Sequence, residues 1–135
     1  MFGNTAPATT LPEPSKRFAL LIGVNEYRKL DKDGGLELFD LRAPRNDVIA
    51  WYKFLRRMDV PAENIRVLTT PMLTPQELDD DRAVCAEAST GAVRQAVRWY
   101  FTTSEEHGNA GYGFVFLAGH GDFSMNQGYT MYLSD

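Results

Sequence analysis

Apolar positions along the chain follow two different rhythms. From Phe18 to Val24 every residue but Gly23 is apolar. A continuous run of that length suits a strand covered on both faces, as in a parallel sheet. The stretch "RKLDKDGGLELFD", residues 28–40, is polar and carries Gly34 and Gly35, so it reads as a loop. The period then lengthens: Val48, Trp51, Tyr52, Leu55 and Met58 recur at helical spacing. Pro44 delays the start of this helix, and Asn46 or Asp47 offers the cap. "IRVLT", residues 65–69, predicts a second strand. Residues 71–89 are acidic and interrupted by Pro71 and Pro75, and they read as a loop with room for a short helix. Thr90 caps a second helix whose inner face is Val93, Ala96, Val97 and Tyr100. "YGFVFLA", residues 112–118, is a third strand.

The order strand, helix, strand, helix, strand predicts an α/β fold, with right-handed crossovers and a mostly parallel sheet flanked by helices. Residues 1–16, "MFGNTAPATTLPEPSK", have no apolar period and read as a flexible leader or linker. Residues 17–135 are then one domain, and no internal repeat is visible. The Trp51 and Trp99 helices read as core elements, and His107 as a surface residue at a helix end.

Composition narrows the function classes. The chain has 135 residues and a net charge of −4. It lacks the basic footprint of a nucleic-acid binder. It has no apolar run approaching the roughly 18 residues of a membrane span, and no signal-peptide pattern at its start. A single cysteine excludes an internal disulfide, so a reducing, cytoplasmic setting is expected.

Open parallel sheets build their sites beyond the carboxyl ends of the strands. Two stretches fall there: "NEY" after the first strand and "GHG" after the third. His120 would be held by the sheet yet reach the crevice. Gly119 and Gly121 allow backbone and substrate to come close. The Gly121 N–H is suited to bind a developing oxyanion, and an imidazole titrates near neutrality, as a general base must. A structural histidine in a glycine turn fits the same spacing equally well. A Gly-x-Ser-x-Gly elbow and a Gly-x-Gly-x-x-Gly phosphate loop are both missing after the first strand, which argues against other hydrolase and nucleotide-binding α/β domains.

"LLIGVNEY", the "RNDV" helix start, "PAENIRVL" before the second strand and "FVFLAGHGD" at the end of the third, in this order, resemble the caspase-like cysteine peptidases: caspases, metacaspases and paracaspases. The resemblance covers about Arg17 to Asp135. It implies a partial caspase-like three-layer sandwich and a cysteine-type endopeptidase acting on protein or peptide substrates. It also implies His120 as the catalytic base and Gly121 as a donor to the oxyanion hole. The family's nucleophilic cysteine lies about 50 residues beyond the histidine, so it is expected C-terminal to Asp135 or on a partner chain. This chain alone is then inactive. Cys85 does not stand in: Asp79, Asp80, Asp81 and Glu87 surround it in sequence and disfavour a thiolate. Ser124 and Ser134 have no precedent as nucleophiles in the family.

Paracaspases and metacaspases cut after arginine or lysine, which requires a carboxylate in the pocket. "RAPRNDV" looks closer to these branches than to the caspases, and the resemblance assigns Asp47 to that pocket. Capping the helix is an equally good reading of Asp47. Arg42 would serve the opposite, acidic specificity but fits a solvated surface position better. No cofactor is expected. The "LDDD" run, residues 78–81, offers oxygen ligands of the kind Ca²⁺ takes, as in some metacaspases, yet a carboxylate run is more often a solvated loop. The alternative function is a non-catalytic pseudo-protease that binds proteins through its crevice or sheet edge.

Overall fold

A computed structural model describes residues 10–27 and 40–135, with only the backbone described at 122 and 123. Strand β1 spans Arg17–Val24, and all of it but Arg17 is buried. Helix α1 spans Ala43–Arg57, β2 Ile65–Thr70, β3 Val84–Glu87, α2 Thr90–His107 and β4 Tyr112–Ala118. A hairpin of β5, Gly121–Ser124, and β6, Gly128–Met131, follows.

The four long-range strands form one sheet in the order β3-β2-β1-β4, with all three pairings parallel. Alternate β1 side chains feed two cores. Ala19 and Leu21 pack with Val48, Tyr52 and Leu55 of α1, and with Ile65 and Val67. Leu20, Ile22 and Val24 pack on the opposite face with Leu68 and with Ala96 of α2. The result is the three-layer α/β arrangement read from the alternating elements. Burying a Leu or Ile side chain contributes roughly 1.5–3 kcal/mol, so the central strand alone anchors both layers.

The loop expected at 28–40 lies, from 28 to 39, outside the described residues. Four other local expectations change. Helix α1 begins earlier than Pro44 implied, because proline is well accommodated in a first helical turn. Neither Asn46 nor Asp47 caps it. Arg42 is the flanking residue and makes no side-chain cap. Instead Asn25, just past β1, accepts the Arg45 N–H on its Oδ1 at 2.8 Å. Ser89, not Thr90, caps α2 by accepting the Ala92 N–H. The 71–89 segment contains β3, a short edge strand in register with β2 from Arg66↔Val84 to Thr69↔Glu87.

The helical faces are less covered than their periodicity implied. Trp51 and Trp99 are half-buried, Met58 and Val97 are exposed, and only Ala96 is fully buried on α2. Both helices sit mainly over β1, and β4 lies at the edge of the sheet. Edge strand β4 is therefore exposed on both faces, at Tyr112 on one and at Val115 and Leu117 on the other. Of the leader, the described residues 10–16 include a 3-10 turn at Pro14–Lys16, and Arg17 Nε donates to the Pro12 carbonyl at 2.8 Å.

Candidate functional site

The chain passes from β1 to β2 to β3 in one direction across the sheet, then returns to place β4 on the far side of β1. That reversal puts a topological switch point between β1 and β4, where crevices open beyond the strand ends. The last register pair between them is Gly23↔Ala118. Residues 25–27 leave the sheet from one side of this point and residues 119–121 from the other.

Around His120 lies an open hollow of about 560 Å³, lined by Leu117, Gly119, His120, Gly121 and three β6 residues, Tyr129, Thr130 and Met131. His120 is half-buried. Its peptide is held at both ends: the N–H donates to the Tyr27 hydroxyl at 2.5 Å, and the carbonyl accepts the Tyr132 N–H at 2.9 Å. The second bond sets the phase of the β5–β6 ladder. Gly121 and Met131 are opposed in it, flanked by the His120–Tyr132 bond. In such a pair each residue's own N–H and C=O face outward, so the ladder does not consume the Gly121 N–H. A methyl group on Gly121 would lie 3.0 Å from the Thr130 carbonyl, which explains the bare backbone there. The hairpin closes through three residues, with Gly128 at φ 72°, a conformation suited to glycine.

Tyr27 closes the "NEY" stretch, and nothing in its local sequence marks it for a role at the site. It is buried, and its ring lies 4.8 Å from the imidazole at 53°. Its hydroxyl also donates to the Val24 carbonyl at 3.1 Å. Burial raises the phenol's pKa, partly offset by the bond from the His120 backbone. The only signal in the sequence was position: a tyrosine three residues past a buried strand.

Asp47 lies near the start of α1, exposed, and does not line the hollow around His120. The helix start itself packs tightly on the end of β1, since a side chain on Gly23 would come within 2.7 Å of the Pro44 carbonyl. Asp47 thus shares the carboxyl end of the sheet with His120, on the α1 face, with its capping role removed. Arg42, the residue just before α1, is exposed as well. Arg45 is committed elsewhere: it pairs with Glu77 at 2.7 Å and donates to the Pro71 carbonyl at 3.0 Å, binding the loop after β2 to α1. Bonds from Thr74 and from Arg45 hold the Glu77 carboxyl below the usual range.

Cys85 is on β3, the opposite edge of the sheet from β4. Three strand spacings amount to about 14 Å, so the thiol and the imidazole belong to different regions. Burial, then the charge of Glu77, push that thiol's pKa up. Ser124 accepts the Gln127 N–H, and Ser134 Oγ donates to the Ala88 carbonyl at 3.0 Å. Within the 78–81 run, Asp80 binds Arg56 and Tyr52, and Asp79 pairs with Lys53. Among the described residues no three His, Cys, Asp or Glu side chains converge as a metal site, and no helix is long and apolar enough to cross a membrane.

The family model of the caspase domain matches residues 16–135. No curated protein and no solved structure matches the chain.

Proposed function

The chain belongs to the caspase domain family, and from that premise we propose that it is the histidine-bearing part of a cysteine endopeptidase that cuts after arginine or lysine. The observation that carries this reading is His120 at the switch point, with a neighbouring Gly121 N–H that its own hairpin leaves unused. The outer edge of β4 supports it. That edge has no strand partner among the described residues, and its apolar side chains are exposed on both faces. A further strand paired there would cover them and bring its own carboxyl end beside His120. The nucleophilic cysteine belongs on that strand, supplied by sequence beyond Asp135 or by a partner chain.

In this mechanism the His120 imidazole takes the thiol proton, and the thiolate attacks the scissile carbonyl carbon. The negative charge passes to the carbonyl oxygen, which the Gly121 N–H binds. The imidazolium then protonates the leaving amine as the C–N bond breaks, and a thioester remains. Water, deprotonated by His120, hydrolyses the thioester and restores the thiol. Asp47, exposed at the same end of the sheet, pairs with the guanidinium or ammonium of the substrate. The single cysteine Cys85 takes no part.

The test joins this chain to its cysteine-bearing continuation or partner and offers peptides with Arg, Lys or Asp before the scissile bond. Cleavage after Arg or Lys is expected. His120→Ala should reduce it by at least about 10³-fold, and Asp47→Ala should abolish it with the fold intact. Full activity of the His120 variant overturns the base. Unchanged cleavage in the Asp47 variant removes it from the pocket. An assembled complex that cleaves none of the peptides favours a protein-binding pseudo-protease.

A further inference from the structure

We propose that Tyr27 is the positioning residue of His120: its hydroxyl holds the backbone from which the imidazole projects, and its ring supports one side of that imidazole. The proposal rests on the reading of His120 as the base.

Flanking glycines give His120 close access, but they also leave its position underdetermined. Strand β4 ends at Ala118, and the sheet no longer constrains the backbone beyond it. Something outside β4 must locate residues 119–121. Tyr27 reaches them from 93 residues away in sequence. Its hydroxyl is used twice, accepting from the His120 N–H at 2.5 Å and donating to the Val24 carbonyl at 3.1 Å. The backbone between β4 and β5 is thereby tied to the last residue of β1.

Tyr27 is itself held. The Asn25 and Glu26 N–H groups both donate to the Thr70 carbonyl at the end of β2, at 2.8 and 3.3 Å. Its own N–H donates to the Asp40 carboxylate at 3.2 Å. The residue is 7 % exposed. Burial keeps the phenol protonated well beyond neutral pH, so the hydroxyl retains its donor role.

Gly119 also has a specific role here. A Cβ at this position would stand 2.8 Å from the Tyr27 hydroxyl. The first glycine of "GHG" is therefore what lets the tyrosine reach the histidine's backbone. The second glycine serves the hairpin and the outward N–H. The two glycines flanking His120 have different jobs.

A tyrosine that only fills space predicts that Tyr27→Phe lowers stability and does nothing else. A positioning residue predicts a local effect on His120. The measurement is NMR on the isotopically labelled chain, which needs no cysteine, and His107 serves as the internal reference. Loss of one hydrogen bond corresponds to about a tenfold change in an opening equilibrium. In Tyr27→Phe the His120 amide should exchange about tenfold faster. Its imidazole signals should shift, while those of His107 and of the β1 amides before Val24, whose carbonyl also loses the hydroxyl, stay in place. Gly119→Ala should reproduce this by pushing the hydroxyl away. In the assembled enzyme, Tyr27→Phe should lower kcat with KM little changed. Unaltered His120 exchange and imidazole signals in Tyr27→Phe overturn the proposal. If that variant fails to fold, a wild-type His120 amide that exchanges as freely as the exposed Met125 turn overturns it equally. Absence of peptide cleavage with the His120 coupling intact would sink the protease reading alone.

Discussion

Replacing Asp80 by asparagine tests whether the acidic run is a structural device. Asp80 Oδ2 accepts from Arg56 Nε at 2.7 Å and from the Tyr52 hydroxyl at 2.9 Å, and Oδ1 accepts the Arg82 N–H at 3.1 Å. Its side chain is 13 % exposed, that of Arg56 27 %. Partial burial works against the charged carboxylate. The bonds from Arg56, Tyr52 and Arg82 outweigh it and hold the carboxyl below its usual range. Asparagine keeps the shape but removes the charge. The one carbonyl oxygen of asparagine still accepts from Tyr52 and Arg56, and Arg56 keeps its bond to the Val60 carbonyl, while the NH2 that replaces Oδ1 cannot accept the Arg82 N–H. The Arg82 N–H is exposed and turns to water, so the main loss is the charge assistance of the Arg56 bond; such bonds range from about 1.5 to 3 kcal/mol, and the exposure of Arg56 places this one at the low end, about 1.5. For a domain of this size that is roughly 6 °C in Tm.

The pH dependence has a defined sign. A carboxyl whose pKa is depressed on folding contributes its full stability above the unfolded value, about 4, and loses it as pH falls through the folded value. The gap between wild type and Asp80→Asn should therefore be constant from pH 7 to about 5 and close at lower pH. Thermal unfolding followed by circular dichroism across that range reads it. Combining Asp80→Asn with Arg56→Met should recover a coupling energy of about 1.5 kcal/mol. A variant with wild-type Tm at pH 7 refutes the reasoning, and so does a gap that persists until acid unfolding.

Two other predictions test the helix start and the far edge of the sheet. Asn25→Ala removes the acceptor for the Arg45 N–H and should cost about 1 kcal/mol, while Asn25→Asp should not; equal stability of all three proteins would show that the helix start needs no cap from β1. Cys85, with its pKa raised first by burial and then by Glu77, should react with iodoacetamide more slowly than free cysteine at pH 7.5, and Cys85→Ser should leave peptide cleavage by the assembled enzyme unchanged; rapid labelling or lost activity would contradict its placement on β3.

Strand β1 was legible because a run buried on both faces has to be apolar throughout, and its short length favours a strand over a buried helix. β4 was legible from its apolar run as well, but its edge position leaves none of its residues fully buried and exposes Tyr112, Val115 and Leu117. β3 was not legible. Its four residues are half-buried or exposed, so side-chain pattern carries almost no signal, and the strand exists through backbone pairing with β2. The helix α1 cap was misplaced for a related reason. Local rules look for the capping side chain next to the helix, whereas here it comes from Asn25, across the 28–40 segment.

The same distinction separates His120 from Tyr27. A histidine between glycines at the end of an apolar strand is a local pattern, and parallel-sheet topology says where such an end must lie. The tyrosine becomes meaningful only when β1 and β4 are neighbours, because that adjacency brings residues 27 and 120 within hydrogen-bond reach. The sheet order thus does two things at once. By reversing at β1 it opens the crevice, and by pairing β1 with β4 it brings the residues on one side of the crevice to hold those on the other. Mutations in the strands and at Asn25 should act through stability, while mutations at Tyr27 and at 119–121 should act on the histidine with the sheet intact.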